Sequence, residues 1–104
     1  MSVSRTVLIT NKRGLHARAS AKFVTLASTQ PVEVAVEKDG AGSVTGTSIM
    51  GLMMLGAAMG DSIVISAQGD GAEEAVGALC ELVEAKFGED YVLVSRDRRE
   101  GPLR

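Results

Sequence analysis

Hydrophobic positions recur with two different spacings along this chain, and the spacing assigns most of its elements. Val3 to Ile9 (VSRTVLI) is rich in β-branched residues and predicts a strand, which ends at the polar stretch Thr10 to Gly14. From His16 the period lengthens. Leu15, Ala19, Phe23 and Leu26 or Ala27 share one face while Arg18, Lys22 and Thr25 fall elsewhere, which predicts an amphipathic helix that stops before Pro31. Val32, Val34 and Val36 alternate with Glu33, Ala35 and Glu37, the pattern of a strand with one buried and one wet face. Asp39-Gly40 is a turn signal, and Ser43 to Thr45 return as its hairpin partner. Ile49 to Leu55 is a short apolar stretch preceded by Thr47 and Ser48, either of which suits a helix N-cap. Ser62 to Ala67 alternates again. In the last helix Ala72, Ala75, Val76, Leu79, Leu82, Val83 and Phe87 trace one stripe. Asp70 with Glu73 is a capping-box-like start for it, and Gly88 is its expected C-cap.

The resulting order is βαββαβα. Strands with one apolar face need cover from helices, so the expected fold class is α/β (α+β), a two-layer sandwich with one open sheet face. The core unit is expected to be residues 1–88. Residues 89–104 form a C-terminal extension in which Tyr91 to Val94 suit a docked extended segment and Arg96 to Arg104 a mobile tail.

Length and composition narrow the function. A chain of 104 residues supports one ordinary core, and with 3% aromatic residues that core must be aliphatic. A formal net charge of −2 and so few aromatic rings argue against a nucleic-acid partner. One cysteine, Cys80, and one histidine, His16, offer no zinc-ligand spacing and no internal disulfide, so no metal or cofactor is expected. Cys80 lies on the apolar stripe of the last helix and reads as a buried small hydrophobe. With no stretch of bilayer length and no secretory pattern, the expected setting is the cytoplasm, the expected state a monomer.

The remaining chemistry gathers at His16. An imidazole at the start of a helix lies beside free backbone N–H groups and the positive end of the helix dipole, a setting that suits an anion and disfavours imidazolium. A neutral ring nitrogen is what a phosphoryl acceptor requires, and Arg18 adds a planar cation for phosphate oxygens. Read locally, the same histidine is an ordinary helix cap. No paired carboxylates and no Walker-type glycine loop accompany it, so the phosphoryl donor must come from a partner.

Gly14-Leu15-His16-Ala17-Arg18, together with Ser48-Ile49-Met50-Gly51-Leu52-Met53, resembles the HPr phosphocarrier family of the phosphoenolpyruvate-dependent phosphotransferase system. The resemblance implies a four-stranded antiparallel sheet in the order 1-4-2-3 under three helices. It also implies that His16 accepts a phosphoryl group at Nδ1 from Enzyme I and passes it to Enzyme IIA domains, as a relay through phosphohistidine with no stand-alone catalysis. Arg18 and the backbone N–H groups of Ala17 and Arg18 would hold the phosphate. Ser48 occupies the position that HPr kinase/phosphorylase modifies in some members, and Leu15, Thr47, Met50 and Met54 would form an adaptable docking patch, with Met53 and Leu52 inside. Lys12, Arg13 and Lys22 ring that region and would steer it toward acidic partners. Where the family commonly has proline after the arginine, this chain has Ala19. Two branches stay open, sugar transport and nitrogen-related regulation, with Met54 and Ala19-Ser20 leaning toward the second. The alternative function is a regulatory binding module controlled by Ser48 phosphorylation.

Overall fold

The computed structural model describes residues 2–89. The expected docking of Tyr91 to Val94 and the expected mobility of Arg96 to Arg104 lie outside the described residues. Four strands, β1 (Ser2–Leu8), β2 (Val34–Lys38), β3 (Gly42–Thr45) and β4 (Ser62–Gln68), alternate with three helices, α1 (Ala17–Ser28), α2 (Ile49–Met54) and α3 (Ala72–Glu84). A 3-10 turn, Lys86–Gly88, follows α3.

The sheet is antiparallel throughout, in the order β1-β4-β2-β3. Its register places Val3 opposite Ala67 and Val7 opposite Ile63, and Val34 and Val36 opposite Ala67 and Ile65. One face therefore carries an aliphatic set of Val7, Ile63, Ile65, Ala67, Val34 and Val36, all buried, as period-two alternation requires. The other face carries the exposed Ser4, Thr6 and Leu8 and, at the two ends of β4, the exposed Ser62 and Gln68. The helices close the buried face with Ala19, Phe23 and Ala27 from α1, Leu52 from α2, and Ala75, Val76, Leu79, Cys80 and Val83 from α3. Phe23 and Phe87 are the largest fully buried side chains, each contributing about 1.5–3 kcal/mol by burial. Cys80 is buried as expected, and desolvation pushes its thiol pKa up.

Two expected helix ends are corrected. α3 starts on Gly71 as its N-cap, with φ +91° and no side-chain cap bond, so Asp70 does not build a capping box. A Cβ at Gly71 would stand 2.7 Å from Pro31 Cγ, and this close approach of two loops sets the entry to the helix. At the other end α3 stops at Glu84 with Ala85 as C-cap, ahead of Gly88. Lys86 and Phe87 then take left-handed backbone at φ +59° and +54°, which buries Phe87 and turns the chain toward the start of α1. Lys22 Nζ donates to Phe87 O at 2.8 Å across that turn.

Candidate functional site

The loop after β1 is folded by its own polar groups. Asn11 is wholly buried; its Nδ2 donates to Gly14 O at 2.9 Å, and Gly14 N donates to Asn11 O at 3.3 Å. Gly14 lies at φ +66°, and a Cβ there would stand 2.4 Å from Ala57 O and 2.8 Å from Ala58 Cα. Both the backbone conformation and the lack of space demand glycine. Leu15 N then donates to Ala57 O at 2.9 Å, which pins the loop to the segment that follows α2.

Held in this way, His16 becomes the N-cap of α1, with extended backbone at φ −77° and ψ −177°. Its carbonyl accepts from Ser20 N at 2.9 Å, and Nδ1 accepts from Arg18 N at 3.2 Å. Ala17 and Arg18 are the first residues of α1, where backbone N–H groups have no intrahelical acceptor, and both are exposed. The Arg18 guanidinium has no ion-pair partner among the described residues. The Nδ1 lone pair, the N–H groups of the first turn and an uncommitted cation thus lie together at one exposed helix start, an arrangement suited to a nucleophile beside an anion site.

Behind the ring, Nε2 lies 2.6 Å from Glu89 Oε2. Glu89 Oε1 accepts from Asn11 Nδ2 at 3.1 Å, so one carboxylate joins the histidine to the buried turn. Sequence reasoning missed both partners. Glu89 lies 73 positions from His16 and carries no local pattern, while Asn11 reads as an ordinary loop residue.

Ser48 is the N-cap of α2, its Oγ accepting from Gly51 N at 2.9 Å. Thr47, Met50 and Met54 are exposed, the two methionines at 68% and 77%. Leu15 is a correction: it is buried in the core at 5% exposure and offers little docking surface. Met53 is another, because a helix of six residues turns only one narrow face inward and Leu52 occupies it, leaving Met53 41% exposed. Of the steering charges, Lys12 and Arg13 are exposed on the loop, and Lys22 is exposed on α1 with its ammonium held by its bond to Phe87 O. Among the described residues no cluster of three or more His, Cys, Asp or Glu is arranged to hold a metal. No helix there is long and apolar enough to cross a membrane.

Fold and site together define an open-faced sandwich that presents one imidazole to anion chemistry at a helix N-terminus. The chain belongs to the HPr family: the family model described as "PTS HPr component phosphorylation site" matches residues 3–85. It is similar to the phosphocarrier protein HPr of Pseudomonas aeruginosa, 43% identical over 83 residues that span 80% of this chain and 92% of that protein. The phosphocarrier protein NPr of Shewanella violacea is 41% identical over 87 residues, 84% of this chain and 94% of that one. Among solved structures, HPr-C-His from Thermoanaerobacter tengcongensis aligns with a TM-score of 0.79 at 48% identity, covering 85% of this chain and 98% of that one.

Proposed function

We propose that this protein is a phosphocarrier of the phosphotransferase system, taking a phosphoryl group from phosphorylated Enzyme I on His16 Nδ1 and passing it to Enzyme IIA domains. The observation that carries this reading is the placement of Nδ1 against the Arg18 N–H at the N-terminus of α1. That hydrogen bond is long at 3.2 Å and is easily exchanged for one to a phosphate oxygen. The Ala17 N–H is beside it, and Arg18 neutralises charge without a fixed partner that would lock the cargo in place. The carrier unit is residues 1–88, to which the first residue of the extension adds the Glu89 carboxylate; it acts in the cytoplasm as a monomer. Relatives named HPr and NPr match it at similar identity, so both a sugar-transport and a nitrogen-related partner set fit the family.

The test is intact-mass analysis after incubation with phosphoenolpyruvate, Mg²⁺ and Enzyme I. One acid-labile phosphoryl group on the native chain, absent from His16→Ala, is the expected result. No modification by an Enzyme I that is active on another carrier overturns it.

A second use is favoured at Ser48. Its hydroxyl is half-buried at the start of α2, and Gly51 bears no side chain where a Cβ would stand 3.1 Å away, leaving room around the oxygen. A phosphate added there by an HPr kinase/phosphorylase would set a dianion at the start of the helix that carries Met50 and Met54, favouring the helix while repelling acidic partners. Ser48→Asp is expected to slow transfer from Enzyme I, and an unchanged rate removes this switch.

A further inference from the structure

The phosphoryl-acceptor reading leaves unused the contact on the far side of the ring. Glu89 Oε2 is 2.6 Å from His16 Nε2, and the two side chains are only 13% and 21% exposed. An ionised carboxylate can only accept a hydrogen bond, so Nε2 carries the ring proton; a backbone N–H can only donate, so Nδ1 carries the lone pair. The two contacts are satisfied together by one species, the neutral Nε2–H tautomer, with its lone pair at the helix N-terminus.

We propose that Glu89 is a positioning residue of the phosphoryl relay: it fixes His16 as the Nε2–H tautomer and balances the charge the ring acquires when Nδ1 is phosphorylated. The inference rests on the phosphocarrier reading of His16. As Nδ1 gives its lone pair to phosphorus, the bond from phosphorus to the donor atom of Enzyme I breaks and its electron pair stays with the donor. Nε2 keeps its proton, so the ring becomes a cation bearing the phosphoryl group, with a carboxylate already in contact with the charged N–H. In onward transfer the P–Nδ1 bond breaks, its electron pair returns to Nδ1, and the ring leaves as neutral imidazole. No proton is found or lost in either half of the relay, and the leaving group is never an imidazolate.

The backbone that delivers Glu89 supports the assignment. Lys86 and Phe87 both have positive φ, a conformation unfavourable for residues with side chains and held only where surrounding contacts impose it. Burial of Phe87 and the Lys22 bond to its carbonyl impose it here, and the turn brings Glu89 to Nε2 and Asn11. Asn11 Nδ2 bonds Glu89 Oε1 and Gly14 O, tying the carboxylate to the loop that aims His16.

The experiment compares the full chain with Glu89→Ala and Glu89→Gln. ¹⁵N NMR of the His16 ring in the unphosphorylated protein reads the tautomer, and rapid-quench transfer from Enzyme I reads the relay. The native ring is expected as Nε2–H. Glu89→Ala should mix the tautomers and slow transfer about tenfold, the lower end of what removing a carboxylate that orients a functional histidine costs. Glu89→Gln should restore the tautomer through its amide oxygen but leave transfer below the native rate, because the charge is gone. An unchanged tautomer in Glu89→Ala, in a variant whose denaturation midpoint is native, overturns the inference whatever the transfer rate. If the native chain accepts no phosphoryl group, the phosphocarrier reading fails, and the tautomer comparison still decides whether Glu89 sets the ring.

Discussion

Replacing Gly14 by alanine tests how the loop places the histidine. The Cβ would meet Ala57 O at 2.4 Å and Ala58 Cα at 2.8 Å, both closer than the 3.0 Å that real Cβ atoms respect, and both are backbone atoms that cannot swing aside. Holding alanine at positive φ costs about 1–2 kcal/mol. Shifting Ala57 also strains the Leu15 N–H to Ala57 O bond, worth about 0.5–1.5 kcal/mol. The expected loss is about 2–3 kcal/mol, a large share of a domain stability of about 5–15 kcal/mol. Gly40 provides the control, since it too has positive φ, at +83°, but nothing lies within 4 Å of where its Cβ would be. Gly40→Ala should therefore lose only the backbone part. Urea denaturation with unchanged slope measures both variants, and transfer from Enzyme I should slow in Gly14→Ala alone because Leu15 and His16 move with the loop. Equal destabilisation of the two variants would falsify the argument that space around Gly14, as well as its backbone angle, fixes the site.

Two further outcomes follow from single contacts. Ser48→Ala removes the acceptor for Gly51 N and should cost about 1 kcal/mol, with α2 the first element to lose amide-exchange protection; protection unchanged in α2 refutes the cap as its anchor. Asp61 has its carboxyl pKa held below the ordinary 3.8, first by the Ala58 backbone N–H and further by the nearby Lys38 ammonium, with desolvation opposing. A depressed folded-state pKa gives stability that is present above 3.8 and lost as pH falls through the lower folded value. Asp61→Asn should remove that part of the acid destabilisation, and matching Tm profiles for both proteins on acidification would show that this carboxylate contributes nothing.

The limits of sequence reading are visible at particular residues. Alternation in Val32 to Val36 and Ser62 to Ala67 identifies half-buried strands, and the spacing of Leu15, Ala19, Phe23 and Ala27 identifies α1, because burial on one face forces a period that local sequence records. The strand order was available only through the family resemblance, since periodicity carries no information on which strands are neighbours. The helix ends at Asp70 and Gly88 were misread for a related reason. Both turn on a contact from elsewhere, Pro31 against Gly71 in one case and Phe87 with Lys22 in the other.

The candidate site divides in the same way. His16, Arg18 and Ser48 were legible because capping is a local event, in which a side chain bonds the backbone two or three residues ahead. Exposure was less so: the burial of Leu15 depends on the loop being pinned to Ala57, and the exposure of Met53 on which way the short α2 faces once it is packed. By itself the sequence singled out His16 as the candidate phosphoryl acceptor and placed it at the start of a helix. Only the tertiary structure supplied the partner on the other ring nitrogen, because the Glu89 carboxylate that meets Nε2 is 73 positions away and reaches it through a left-handed turn that no local pattern announces.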